Sequence, residues 1–148
     1  MCSSDLGFYG QFASKDDLAA ETTARVLGNP RWQERLTGKA NPSFAEVVRG
    51  YLSPRHRDDP GTSCLLSALG TDAARQPRAV RRAFTGGFRV RIDALVKLVP
   101  GRSQAARRQK ALATMAGLVG ALILSRAVDD PALSDEILEA TATELGRR

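Results

Sequence analysis

The chain has 148 residues, the size of one domain with a sizeable core, and its 43% hydrophobic and 26% charged residues are typical of a globular protein. The formal net charge of +6 is compatible with a nucleic-acid or acidic partner but does not identify one. Two cysteines do not support a disulfide framework, and without a signal peptide or a spanning segment they favour a reducing cytoplasm and no membrane.

Aromatic residues are scarce, at 5%, whereas alanine, leucine and arginine are abundant. This composition favours helices over strands. We therefore expect an all-α fold, a bundle of about six to seven helices.

The residue pattern of the chain changes at Gly7. Residues 1–6 do not fit the pattern that follows, and we expect them to be a non-native or disordered leader. From Gly7 the chain reads Gly-Phe-Tyr-Gly-Gln-Phe, and Ser14 followed by Asp17 is typical of a helix start.

This segment resembles the junction between the recognition helix and the fourth helix of TetR-family transcriptional repressors. The resemblance lies in Phe8-Tyr9 through Phe12 and in the Ser-Lys-acid run that begins at Ser14. Residues 51–60 and 126–137 resemble the C-terminal domains of one branch of that family. The match implies that Tyr9 and Lys15 stand where the family contacts DNA phosphates, whereas Gln11 stands where histidine is usual.

The resemblance also implies a division of the chain and a function. Residues 7–13 would be a remnant of a helix-turn-helix DNA-binding domain, and residues 14–148 a ligand-binding and dimerisation domain. In the family, a small apolar or cationic effector binds among the central helices, shifts the fourth helix and releases operator DNA. The implied partners are a second copy of the chain, an effector and, for the full-length parent only, an operator.

Glycine and proline divide the next part of the chain. Gly28-Asn29-Pro30 predicts a kink or a restart of the first helix, which Gly38 then closes. Asn41-Pro42 predicts a cap and the first position of the following helix. Residues 53–61 predict a loop, in which the lone His56 is solvated.

Cys64 falls in the first turn of a predicted helix, shortly after Arg55, His56 and Arg57. A helix N-terminus and nearby cations lower the pKa of a thiol, which favours a redox or electrophile sensor. The alternatives are a small buried hydrophobic residue, or the nucleophile of a small helical enzyme.

The helix that begins near Pro77 carries Gly86 and Gly87 between two phenylalanines. Missing side chains there leave room either for a ligand or for a close helix crossing. The helix is also strongly basic, and we expect a solvated face for its cations, which with the preceding arginine are Arg75, Arg78, Arg81, Arg82, Arg89, Arg91 and Lys97.

Residues 111–124 have no charge and no proline, and they are too few to cross a bilayer, so we expect a buried helix. A stripe of small residues recurs every four positions and has no obvious use in so small a monomer. We expect a homodimer built on this stripe and on the last helix, with the interface residues Ala113, Gly117, Ala121, Ser125, Ile137 and Thr141.

The effector would contact inward-facing residues of the central helices, each of which is also a candidate for plain core. By periodicity these are Phe44, Val48, Tyr51, Leu65, Leu69, Phe84, Phe88, Ile92, Met115 and Leu118. The sequence has no Glu-x-x-His pair, no cysteine–histidine cluster and no phosphate-binding glycine loop. We therefore expect no metal, no cofactor and no enzymatic activity.

Overall fold

A computed structural model describes residues 14–59 and 65–147 of the chain. Within these ranges there are eight α-helices and no strand, which confirms the all-α fold. The helices are α1 (Lys15–Leu27), α2 (Trp32–Thr37), α3 (Phe44–Tyr51), α4 (Pro54–Asp58), α5 (Leu65–Ala73), α6 (Arg78–Val96), α7 (Gln104–Ala127) and α8 (Pro131–Gly146).

Side chains cap five of the eight described helices at their N-termini. Ser14, Ser103 and Asp130 each accept a hydrogen bond from a backbone N–H in the first turn of α1, α7 and α8. The cap predicted at Asn41 is wrong. Ser43 caps α3 instead, in a reciprocal capping box with Glu46, which lies at the third helical position.

The first helix restarts after its break. It ends at Leu27, Asn29 Oδ1 accepts a hydrogen bond from the Arg31 N–H over 2.9 Å, and α2 then begins at Trp32. Gly38 ends α2 in the left-handed conformation, as predicted, with φ of 70°.

The loop predicted at residues 53–61 contains the short helix α4, which accounts for the helix beyond the expected six to seven. Ser53 caps it and Pro54 occupies its first turn. His56 is half-buried, so its predicted solvated state is wrong. Burial follows because α4 packs against α7.

The most extensive helix–helix contact joins α1 to α6. The two helices meet at Gly87, which is buried against Leu27, whereas Gly86 faces open space. Of the two uses expected for this glycine pair, Gly87 therefore serves a close helix crossing.

The core helix is α7, which contacts α8, α6, α5, α4 and α3. By length and composition alone α7 could cross a membrane, but the core helix of a soluble protein passes the same test. Its buried residues are Ala111, Thr114, Met115, Leu118, Ala121, Leu122 and Ser125.

The small-residue stripe of α7 is used within the chain, so the reason given above for a dimer is wrong. A β-carbon at Gly117 would lie 3.3 Å from Leu145 Cδ1 of α8, and Ala121 is buried. The Ser125 carbonyl accepts a hydrogen bond from Ser134 Oγ of α8 over 2.6 Å. Within the stripe only Ala113 is exposed.

Candidate functional site

A cleft of about 490 Å³ opens where the C-terminal end of α1 meets α2, α3, α4 and α6. Its volume lies within the range of small-molecule sites, about 300–1,000 Å³. The lining residues are Val26, Asn29, Trp32, Arg35, Leu36, Gly50, Tyr51, Ser53, Arg55, His56, Asp59, Leu65 and Arg91.

Arg91 of α6 is buried at one wall of this cleft, with only 6% of its surface exposed. Its guanidinium carbon lies 5.4 Å from the centre of the Trp32 ring, a cation–π geometry. One terminal nitrogen donates to the Val26 carbonyl oxygen over 3.2 Å, in the last turn of α1. Arg91 therefore joins α6 to the end of α1 and to the start of α2.

Tyr51 and His56 also line the cleft. Their ring centres lie 4.7 Å apart at an interplanar angle of 74°, an edge-to-face contact. His56 Nδ1 lies 2.7 Å from the Tyr51 carbonyl oxygen, which can only accept, so Nδ1 carries the proton. Burial lowers the pKa of His56 below its ordinary 6.5, and the positive charge of Arg126 lowers it further.

Helix α4 is held in place by Arg126, near the C-terminal end of α7. Arg126 Nε donates to the Arg57 carbonyl oxygen over 2.9 Å, and a terminal nitrogen donates to the His56 carbonyl oxygen over 2.8 Å. Arg57 in turn donates to Ser134 Oγ over 2.9 Å. These bonds position one side of the cleft against α7 and α8.

The predicted effector residues divide between the cleft and the core. Tyr51 and Leu65 line the cleft. Leu69 is 41% exposed, so its expected inward orientation is wrong. The remaining predicted residues are buried in the core or half-buried against it: Phe44, Val48, Phe84, Phe88, Ile92, Met115 and Leu118.

The polar residues of the cleft are what the sequence reasoning missed. Arg91 was assigned to a solvated basic face, but it is buried because it turns inward to Trp32 and Val26. The helical spacing carries a signal for this burial, since Arg91 lies four residues after Gly87 and four before Leu95, both of which are buried in α6. The other basic residues named there are exposed, as expected.

The predicted DNA-contacting and thiol residues are mostly outside the described ranges. Lys15 lies in the first turn of α1 and is exposed. Tyr9 and Cys64 lie outside the described residues. Leu65, the neighbour of Cys64, lines the cleft.

The fold and the cleft define an all-helical protein with a site at the end of its first described helix. No family model and no curated protein matches the sequence. Among solved structures, the chain is similar to the crystal structure of E. coli NemR in its reduced form. The TM-score is 0.72, the similarity covers 95% of this chain and 77% of that chain, and the sequence identity is 18%. NemR is a TetR-family regulator, and the chain accordingly has a TetR-like fold.

Proposed function

We propose that this chain is the ligand-binding and dimerisation part of a ligand-responsive transcriptional repressor of the TetR type, acting in the cytoplasm. The observation that carries the proposal is a small-molecule-sized cleft at the end of α1 in a TetR-like fold. Helix α1 corresponds, by the resemblance of its first residues, to the family's fourth helix, which connects the effector site to the DNA-binding domain.

The contacts of α1 support a mechanism for that connection. The end of α1 reaches the cleft through Val26, and Asn29 of the following turn lines it as well. Arg91 and the Gly87 crossing fix the end of α1 to α6. A ligand that changes how Arg91 binds Val26 would favour a different position of α1. Effector binding then shifts the population of two states, and the state that the effector favours releases the operator.

The exposed surface of α7 supports a homodimer, although not through the stripe first expected. Its exposed large apolar residues are Leu112, Ile123 and Leu124, and Leu133 extends the same kind of surface onto α8. Helices α7 and α8 from two copies would form a four-helix interface. Ile137 and Thr141 are half-buried against their own chain and stay predicted interface residues.

The test of the proposed function is a thermal-shift screen of the chain against neutral, cationic and anionic small molecules, with light scattering on the same sample. A ligand that binds the folded state alone raises the melting temperature. We expect a dimer that at least one compound class stabilises. A monomer that no compound stabilises would contradict the proposal.

A second candidate function is thiol sensing by Cys64. A small helical enzyme that uses Cys64 as nucleophile is the remaining alternative, and no observation favours it. The observation that favours sensing is that NemR was crystallised in a form described as reduced. The test is titration of Cys64 with iodoacetamide. A sensing thiol titrates well below about 8.5, and Cys64→Ser would abolish any change in melting temperature caused by alkylation. An unreactive Cys64 would eliminate both thiol functions.

A further inference from the structure

We propose that the cleft binds an organic anion, a molecule with a carboxylate or similar head and an apolar body. The inference rests on the proposed function, because it names the class of effector for the same cleft. The family resemblance implies an apolar or cationic effector, and the side chains of this chain argue for the opposite charge.

Arg91 carries a buried charge at the cleft. No ion pair within residues 14–59 and 65–147 includes Arg91, although the residue is 94% buried. Buried charges in proteins are ordinarily paired, since burial removes their hydration. The Trp32 ring and the Val26 carbonyl oxygen compensate part of this charge, and an anion in the cleft would complete the compensation.

Two hydrogen-bond donors in the residues that line the cleft are unused. Arg91 Nε and Trp32 Nε1 are both buried, and neither has a hydrogen-bond partner among the described residues. Both atoms can only donate. A ligand that satisfies them must therefore bring acceptor oxygens, and a carboxylate matches a guanidinium group in geometry as well as in charge.

The composition of the cleft wall favours an anion as well. The described lining residues include three arginines, Arg35, Arg55 and Arg91, and one acidic residue, Asp59. The rest of the wall offers apolar or aromatic surface from Val26, Trp32, Leu36, Tyr51 and Leu65. An inorganic anion would leave that surface and most of the 490 Å³ unused.

The experiment titrates the full chain with three probes of one shape and different charge: 4-phenylbutyrate, 4-phenylbutanol and 4-phenylbutylammonium. Trp32 is the only tryptophan of the chain and lines the cleft, so its fluorescence reports binding directly. We expect the carboxylate to bind about tenfold or more tightly than the alcohol, and the ammonium most weakly, because a charged hydrogen bond contributes about that factor.

Substitutions assign the effect to the cleft. Arg91→Gln should weaken 4-phenylbutyrate binding about tenfold or more and weaken 4-phenylbutanol binding much less, because only the carboxylate pairs with the charge of Arg91. Arg55→Gln, on the exposed rim, should weaken it less and serves if the Arg91 variant does not fold. The matched control is Arg89→Gln, on the same helix but exposed and not in the lining.

The outcomes separate this inference from the proposed function. If the alcohol or the ammonium binds more tightly than the carboxylate, the cleft is still a candidate effector site, but the inference that its ligand is an anion is wrong. The inference is also overturned if inorganic phosphate binds the cleft as tightly as 4-phenylbutyrate and displaces it. It is likewise overturned if Arg91→Gln and Arg55→Gln both bind 4-phenylbutyrate as tightly as wild type. No response to any of the three probes would overturn the inference together with the assignment of this cleft as the effector site.

Discussion

Gly87 of α6 lies so close to Leu27 of α1 that a β-carbon added to Gly87 would fall 2.2 Å from Leu27 Cβ. The same added atom would lie 3.2 Å from the Leu27 backbone, so rotation of a side chain cannot relieve the clash. Leu27 is fully buried at this point. Because Gly87 has no side chain, α1 and α6 can approach each other closely here. The proposed mechanism changes the position of α1 at this crossing.

The neighbouring glycine provides a matched control for the first prediction. Gly87→Ala should destabilise the protein by about 1–3 kcal/mol or more, because α1 has to move away from α6. Gly86→Ala should stabilise it by about 0.5–1 kcal/mol, because Gly86 sits in a helix and nothing lies within 4 Å of an added β-carbon. Urea denaturation measures both changes. Equal effects of the two substitutions would contradict the close crossing.

The pair Gly86 and Gly87 also shows how much of the fold can be predicted from the sequence. Periodicity and capping residues are local, so the sequence predicts the all-α fold and the start of α1 at Ser14. Whether Gly86 or Gly87 meets another helix depends on a contact between residues about sixty positions apart. The local pattern leaves room for a ligand and a helix crossing alike.

The candidate site was harder to predict for the same reason. Arg91 belongs to a run of exposed arginines, and it is buried because Trp32 and the end of α1 stack on it. His56 is half-buried because Arg126, seventy residues away, holds α4. A polar side chain is buried in a site by contacts with residues that are distant in the sequence. Hydrophobic periodicity is a local pattern and does not predict such contacts.

His56 gives a prediction about pH. Its pKa is lowered in the folded state, mainly by burial, so below pH 6.5 the unfolded chain binds more protons than the folded one. The stability that His56 contributes is therefore complete above pH 6.5 and is lost as the pH falls toward its lowered pKa.

The measurement compares wild type with His56→Gln by urea denaturation between about pH 7.5 and about pH 5. Wild type should lose more stability than the variant over this interval. Both proteins carry the same carboxylates, so the difference between the two curves reports on His56. A difference that does not change with pH would show that the histidine is not buried.

Arg126 should contribute much more to stability than the surface ion pair beside it. Arg126→Met keeps most of the side-chain volume but removes the two donors to the backbone of α4, and we expect a loss of about 1–3 kcal/mol. Asp135→Asn removes the charge that pairs with Arg57 at an exposed position, and we expect a loss below about 1 kcal/mol. Hydrogen exchange of the α4 amides should accelerate only in the Arg126 variant. A larger effect of Asp135→Asn would contradict this order.

The last prediction concerns the outer face of α7, defined by Leu112, Ala113, Ala116, Gly120, Ile123, Leu124 and Ala127. These positions cover about a third of the helix circumference and carry no charge. Six of the seven are exposed, and a β-carbon at Gly120 would meet nothing within 4 Å. A contiguous apolar surface of this kind usually marks an interface.

Leu124→Lys should therefore convert a dimer into a monomer, because it places a charge at the most exposed leucine of the outer face, 57% exposed. Leu69→Lys is the control, since Leu69 is 41% exposed but lies on α5. Gly117→Leu should instead disturb the contact with Leu145 and lower the stability of each subunit. Light scattering at tens of micromolar protein measures the oligomer, and thermal melting measures the subunit. If wild type is a monomer, or if Leu69→Lys dissociates the dimer as well as Leu124→Lys does, the outer face of α7 is not the interface.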